Sequence, residues 1–160
     1  MLHIITGPMF SGKTTTLSSK LTEKSLYINH SLDTRGNLFY SHDKNVSFKV
    51  KCVKTDKLTD DLVEGYDVIG VDEAQFFDDI MKVVDWVENG KIVYVAGLHS
   101  DYKREKFGKI MDLIPLSDSL TMLKAKCKCG KDAMFSKRKK ENNDQILVGS
   151  IEYEPVCRKC

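Results

Sequence analysis

Gly7-Pro8-Met9-Phe10-Ser11-Gly12-Lys13-Thr14 follows directly on the apolar run Leu2-His3-Ile4-Ile5-Thr6. The octet fits G-x-x-x-x-G-K-[ST], and its place in the chain gives the match its weight. A phosphate-binding loop needs a strand to deliver it and a helix behind it, so that backbone N–H groups converge on the anion. Here the strand opens the chain, and a helix is expected from Lys13 to Glu23. Gly7 and Gly12 permit backbone angles that a side chain forbids. On this reading residues 7–14 cradle a nucleoside triphosphate, Lys13 reaches its β- and γ-phosphates, and Thr14 gives Mg²⁺ an oxygen ligand. The alternative, a chance glycine-rich turn, fits the strand-loop-helix context poorly.

A chain of 160 residues has room for one core, or for a main domain with a small appendage. Hydrophobic residues at 41% and charged residues at 30% describe a soluble globular protein, and a net charge of +2 gives no argument for a nucleic-acid groove. No apolar run approaches the roughly 20 residues that span a membrane. The N-terminal apolar stretch lacks a basic flank and is committed to the phosphate loop, so an export signal is not expected. A cytoplasmic, reducing setting is therefore expected, in which clustered cysteines point to metal more than to disulfide.

Strand-like and helix-like segments alternate along the chain. Ser25–Asn29 reads as a strand, and Asn45–Val53 alternates with period two as a half-exposed one. Thr59 or Asp60 caps a brief helical turn ended by Gly65, and Asp67–Val71 is a buried β-branched strand. Asp78–Glu88 sets Ile80, Val83, Val84 and Val87 on one helical face, and Lys91–Ala96 is another buried strand. The stretch Ile110–Leu123 reads as helix then strand. This pattern predicts an α/β fold, a mostly parallel sheet covered by helices on both faces.

The strand before Asp72-Glu73 ends on acids, the usual partner of a phosphate loop. Asp72 is then the acid of the Mg²⁺ site, and Glu73 the base that takes a proton from an attacking hydroxyl. Asp33 and Arg35 lie at another expected strand end; they form either a local ion pair or a pair flanking the transferring phosphoryl group. Cys127, Cys129, Cys157 and Cys160 come in two close pairs, which read as a tetrahedral structural Zn²⁺ site stapling the loop from about Ala133 to Tyr153, or else as free thiols. Cys52 is left over as a small buried residue.

These pieces resemble the type II thymidine kinases, a cytosolic, bacterial and viral family. The likeness rests on residues 7–14, on Asp33-Thr34-Arg35 and on Val71-Asp72-Glu73-Ala74-Gln75-Phe76-Phe77. It continues through Ala96-Gly97-Leu98-His99-Ser100-Asp101-Tyr102, Phe107-Gly108, Ser136-Lys137-Arg138 and residues 153–160. The resemblance implies transfer of the ATP γ-phosphate to the 5′-hydroxyl of thymidine, giving the monophosphate and ADP. It implies a RecA-like domain over residues 1–120, and over residues 121–160 a zinc-bearing domain whose lasso loop closes on the nucleoside. It also implies a homotetramer.

Carried over by residue, Glu73 is the base. The phosphate loop (Gly7, Pro8, Met9, Phe10, Ser11, Gly12, Lys13, Thr14) with Asp72 holds ATP and Mg²⁺, and Asp33 and Arg35 flank the transferring group. Met9, Phe76, Leu98, Tyr102, Phe107, Ser136 and Tyr153 line the thymidine pocket, and backbone groups of Leu147, Val148, Gly149, Ser150 and Ile151 read the thymine edge. Such buried polar readout discriminates sharply, because a wrong edge leaves groups unpaired. The chain departs from the family pattern at Gly36, at Tyr102, in the Cys-x-Cys spacing of the first thiol pair, and in a shortened stretch from Gly149 to Tyr153. A further departure is His99, which stands where Asp is usual and leaves the role of that acid vacant or to Asp101.

The basic run from Ser136 to Lys140 reads as a solvated, mobile lasso segment rather than a nucleic-acid patch. No histidine shows metal spacing. Two other classes share the phosphate loop: a nucleic-acid-stimulated ATPase with a zinc ribbon, and a nucleotide sensor without turnover. The near-neutral charge and short length disfavour the first, and the intact Lys13, Asp72 and Glu73 disfavour the second. No nucleic-acid or membrane partner is expected.

Overall fold

Among the described residues, six short strands build one parallel sheet. They are β1 (Leu2–Thr6), β2 (Leu26–His30), β3 (Lys51–Thr55), β4 (Val68–Asp72), β5 (Ile92–Gly97) and β6 (Ser119–Met122), in the order β3-β2-β4-β5-β1-β6. Every pairing in this sheet is parallel, with Ile4 opposite Val95 on one side and Leu120 on the other. The computed structural model describes residues 1–33, 50–139, 144–146 and 152–160. The expected α/β sheet is thus present, and β4 and β1 flank β5 at its centre.

Alternation along the strands sorts side chains to two faces. Leu2, Ile4, Leu26, Ile28, Ile69, Val71, Val93 and Val95 form one core with Phe77, Ile80, Val83, Trp86, Ile110 and Leu113. Helix α2 (Lys82–Glu88) and the tight helical run Ile110–Leu116 cover that face. On the opposite face Ile5, Tyr27 and Ala96 pack against Leu17 and Leu21, which come from and just after α1 (Lys13–Ser18). Gly70 of β4 makes that packing possible: a Cβ there would stand 2.8 Å from Leu21 Cδ1. Cys52 is half-buried at the rim of this second cluster.

Helices α1 and α2 are both shorter than expected. After Ser18 the amides of Lys20 and Leu21 bond three residues back, to Leu17 and Ser18. The chain therefore tightens into turns, and Ser25 Oγ accepts from the Thr22 amide. A Thr14-Thr15-Thr16 run of β-branched residues weakens α1 further. Residues 78–81 likewise form turns before α2, and Asp79 uses its carboxylate to accept from the Leu58 amide at 2.8 Å rather than to extend the helix. Trp86, absent from the expected apolar face, is a core residue, 2% exposed, whose Nε1 donates to Asp60. The strand expected at Asn45–Val53 is β3, which runs to Thr55; residues 45–49 lie outside the described residues.

Beyond β6 the chain makes two small antiparallel ribbons, β7 (Ala125–Lys126) with β8 (Asp132–Ala133) and β9 (Phe135–Arg138) with β10 (Tyr153–Val156). A third apolar cluster of Ala125, Cys127, Ala133, Val156 and Cys157 joins them. The basic run differs from expectation here. Lys137 and Lys139 are exposed, but Ser136 and Arg138 are buried on the inner side of β9, because the period-two alternation of a strand turns them inward. Among the described residues no helix is long and apolar enough to cross a membrane.

Candidate active site

The loop after β1 is held in a conformation that few residues tolerate. Phe10 (φ 63) and Gly12 (φ 82) both lie in the left-handed region. A Cβ on Gly7 would meet Leu123 O at 2.6 Å and Ser11 Oγ at 2.7 Å, so glycine alone fits beneath the loop. Lys13 Nζ donates to Pro8 O at 2.8 Å, folding back over the loop. Thr14 Oγ1 donates to Asp72 Oδ2 at 2.7 Å, which links the loop to the carboxyl end of β4.

Asp72 is 2% exposed. Its Oδ2 also accepts from Tyr27 Oη at 2.8 Å, and its Oδ1 from the Glu73 amide at 2.9 Å. Burial and the neighbouring Glu73 charge push the Asp72 carboxyl up to about 6, against the pull of those three donors. Burial and the same acids raise the Tyr27 phenol far above its ordinary range, Asp33 contributing as well. Three carboxylates therefore act on one buried hydroxyl. Such an acidic pocket, built of hard oxygen donors beside a threonine hydroxyl, suits Mg²⁺.

Glu73 has φ 53, a left-handed conformation rare for a residue with a side chain, and it follows directly on the strand end. Gln75 Nε2 donates to Glu73 Oε2 at 2.6 Å, and Gln75 Oε1 accepts from the Leu98 amide at 2.9 Å. One amide side chain thus fixes the candidate base against the loop after β5. Asp33 lies past the end of β2, where its Oδ2 accepts from Asn29 Nδ2 and its carbonyl from Lys54 Nζ. Arg35 lies outside the described residues.

The residues expected around thymidine fall into linked groups. The Met9 amide of the phosphate loop donates to Ser136 Oγ of β9 at 2.9 Å. Phe76 and Phe107 meet edge to face with centroids 5.7 Å apart. Gly108, next to Phe107, lets the chain press on Gln75: a Cβ there would stand 2.3 Å from Gln75 O. Leu98 is half-buried beside the Gln75 bond. The Arg138 guanidinium stacks on the Tyr102 ring at 3.8 Å and donates to Tyr153 Oη at 2.7 Å. It also donates to the carbonyls of Asp144 and Gln145, while Gln145 Nε2 donates to Asp101 Oδ2 at 2.8 Å. Asp101 accepts from the amides of Lys103 and Glu105 too, so its carboxylate shapes this loop. Residues 147–151 lie outside the described residues.

The four paired cysteines converge despite the short Cys-x-Cys spacing. Sγ of Cys127, Cys129, Cys157 and Cys160 all lie within 4.8 Å of one another, with Cys129 and Cys157 at 3.6 Å. A tetrahedron of Zn–S bonds of about 2.3 Å has edges of about 3.8 Å, so the cluster could hold zinc. Amides of Lys159 and Cys160 lower the Cys157 thiol to about 6, the ionised form a metal requires. Its neighbour Cys160 is pushed up to about 12, first by Cys157 and then by the other thiols that crowd it.

A family profile described as thymidine kinase matches residues 1–160. The chain belongs to the thymidine kinase family. It is 42% identical over 171 residues to the thymidine kinase of Sheeppox virus (strain KS-1), covering 99% of this chain and 95% of that one. It is 41% identical to that of Vaccinia virus (strain Western Reserve), with the same coverage. It is 39% identical over 182 residues to that of Oryza sativa subsp. japonica, covering 99% of this chain and 65% of the plant protein.

Several residues of the candidate site carry no local signal. Tyr27 reads as a strand residue, and only the parallel register that sets Asn29 opposite Asp72 brings its hydroxyl to that acid. Gln75 stands inside the acid-bearing motif of residues 71–77 with no local sign of its role. Arg138 hides in a basic run, where alternate burial along a strand was the available clue.

Proposed function

We propose that this chain transfers the γ-phosphate of ATP to the 5′-hydroxyl of thymidine, giving thymidine monophosphate and ADP. The observation that carries the reading is the Thr14–Asp72 hydrogen bond, which sets the phosphate loop beside the acidic end of β4. Residues 7–14 bind the triphosphate, with Lys13 turning from Pro8 O to the phosphates. Thr14 and Asp72 are the residues that would hold Mg²⁺. When bound, the cation offsets phosphate charge and holds the triphosphate in line. Glu73, aimed by Gln75, accepts the proton of the 5′-hydroxyl as that oxygen attacks the γ-phosphorus. Asp33 helps shape the acidic side of the site, and Arg35 offsets charge on the transferring group.

The thymine base lies among Met9, Phe76, Leu98, Tyr102, Phe107, Ser136 and Tyr153, and its polar edge meets the backbone of residues 147–151. The Met9–Ser136 and Tyr102–Arg138–Tyr153 contacts support this placement, since they join these residues across the phosphate loop and the second ribbon. Closure of this ribbon and its loop keeps water from intercepting the phosphoryl group. We assign residues 1–120 to the nucleotide domain and 121–160 to a zinc-stapled nucleoside cover, in a cytoplasmic homotetramer. ADP formation measured with thymidine, with single-stranded DNA, and with neither tests the reading. Thymidine-dependent ADP is expected; DNA-dependent ADP would favour the ATPase alternative instead.

A further inference from the structure

His99 stands where the two halves of the phosphate site approach each other, and the role assigned to it below rests on reading that site as the one for ATP. Strand β5 lies between β1, which delivers the phosphate loop, and β4, which ends in Asp72. His99 comes two residues after the end of β5. Thr6, the last residue before the loop, is fully buried; its Oγ1 donates to Gly97 O at 3.0 Å and lies 3.2 Å from His99 Nδ1. A hydroxyl has one proton, and a carbonyl can only accept. The arrangement that satisfies both contacts gives the threonine proton to Gly97 and makes His99 Nδ1 the donor to Thr6. This fixes the neutral tautomer and leaves the lone pair on Nε2.

The charges around the ring favour a proton there only when an anion is present. Burial, and after it the Lys13 ammonium, hold the imidazole below its ordinary range. β1 and β5 offer the neutral Thr6 and Gly97. Asp101, two residues on, has its carboxylate turned to the backbone amides of Lys103 and Glu105 and to the side-chain amide of Gln145. A triphosphate brought to Lys13 reverses the sign of the local field.

We propose that His99 is a switchable second cation of the phosphate site: on triphosphate binding, Nε2 takes a proton from solvent, and the imidazolium joins Lys13 against the phosphates. The proton returns to solvent when the anion leaves. A fixed lysine gives affinity that changes little with pH, whereas this device couples affinity to proton uptake. Binding is then tighter at pH 6 than at pH 8, by roughly threefold for a one-unit rise of the imidazole value, because the full tenfold is reached only at pH below both values.

The test is calorimetric titration of wild-type protein and His99→Asn with the β,γ-imido analogue of ATP and Mg²⁺, in buffers of different ionisation enthalpy. Asparagine keeps a donor near the Nδ1 position, so Thr6 keeps its partner, and ionisation of the analogue cancels between the two proteins. Greater proton uptake by the wild type, with a flattened pH dependence in the variant, supports the proposal. Equal uptake and parallel affinity curves overturn it. Failure of the wild type to bind the analogue overturns the ATP reading and His99 with it. Long-range ¹H–¹⁵N spectra of the wild type give the answer without a variant: His99 is protonated at Nδ1 alone when free, and a ring still singly protonated with analogue bound at pH 6 refutes the switch.

Discussion

Thr14 Oγ1 donates to Asp72 Oδ2 across 2.7 Å, although the two residues lie 58 positions apart in the chain. The phosphate loop and the strand-end acids thus form one place. Replacing Thr14 by Val keeps the shape and removes the donor. The expected result is a fall in kcat of about a hundredfold or more, the scale for losing one preorganised polar contact at a charged centre. Thr14→Ser should recover most of it. Steady-state kinetics of the two variants check this, and equal rates in Val and Ser variants would contradict it.

The Asp72 carboxyl gives a pH prediction for metal-free protein. Its folded-state value, about 6, lies above the ordinary 3.8, so the ionised form costs stability above pH 6, and the cost is relieved as pH falls toward 3.8. Asp72→Asn removes the titrating group. The variant should therefore gain stability relative to wild type between pH 4.5 and pH 7.5, by roughly 2 kcal/mol. Urea unfolding at the two pH values measures it; a difference unchanged with pH would contradict the assignment.

Arg138 should act on thymidine and not on ATP. It stacks on Tyr102, bonds Tyr153 and holds two carbonyls of the loop. A lysine cannot stack and fork in this way, so Arg138→Lys is expected to raise the thymidine KM about tenfold while leaving the ATP KM within about twofold. Equal rises in both would assign Arg138 a general role in folding.

The four cysteine sulfurs predict about one zinc per chain in protein purified without chelator, because four thiolates close a tetrahedral site. Cys157→Ser should lose the metal and lower the melting temperature. Metal analysis that finds no zinc in the wild type would contradict the assignment.

The features legible in the sequence were those written locally. A glycine-bearing octet behind a strand, β-branched runs at β4 and β5, and paired cysteines each announce themselves within a few residues. Helix ends did not, since the loss of regular bonding after Ser18 depends on the turn closed by Thr22 and Ser25. Nor did Trp86, whose indole is placed by Asp60 from a distant turn. At the site, Gln75 and Tyr27 gain their roles from partners 23 and 45 residues away, which no local pattern encodes, and strand alternation gives the burial of Arg138 but not its partner 15 residues on.

The most direct test of the central claim is Glu73→Gln, assayed for thymidine phosphorylation and, separately, for binding of the β,γ-imido analogue. Glutamine keeps the size of the side chain and cannot take the hydroxyl proton. Analogue affinity within about threefold of wild type, with turnover reduced about a thousandfold or more, is the predicted result. Near-normal turnover would contradict the role of Glu73, and with it the account of the loop and strand-end acids as one phosphoryl-transfer site.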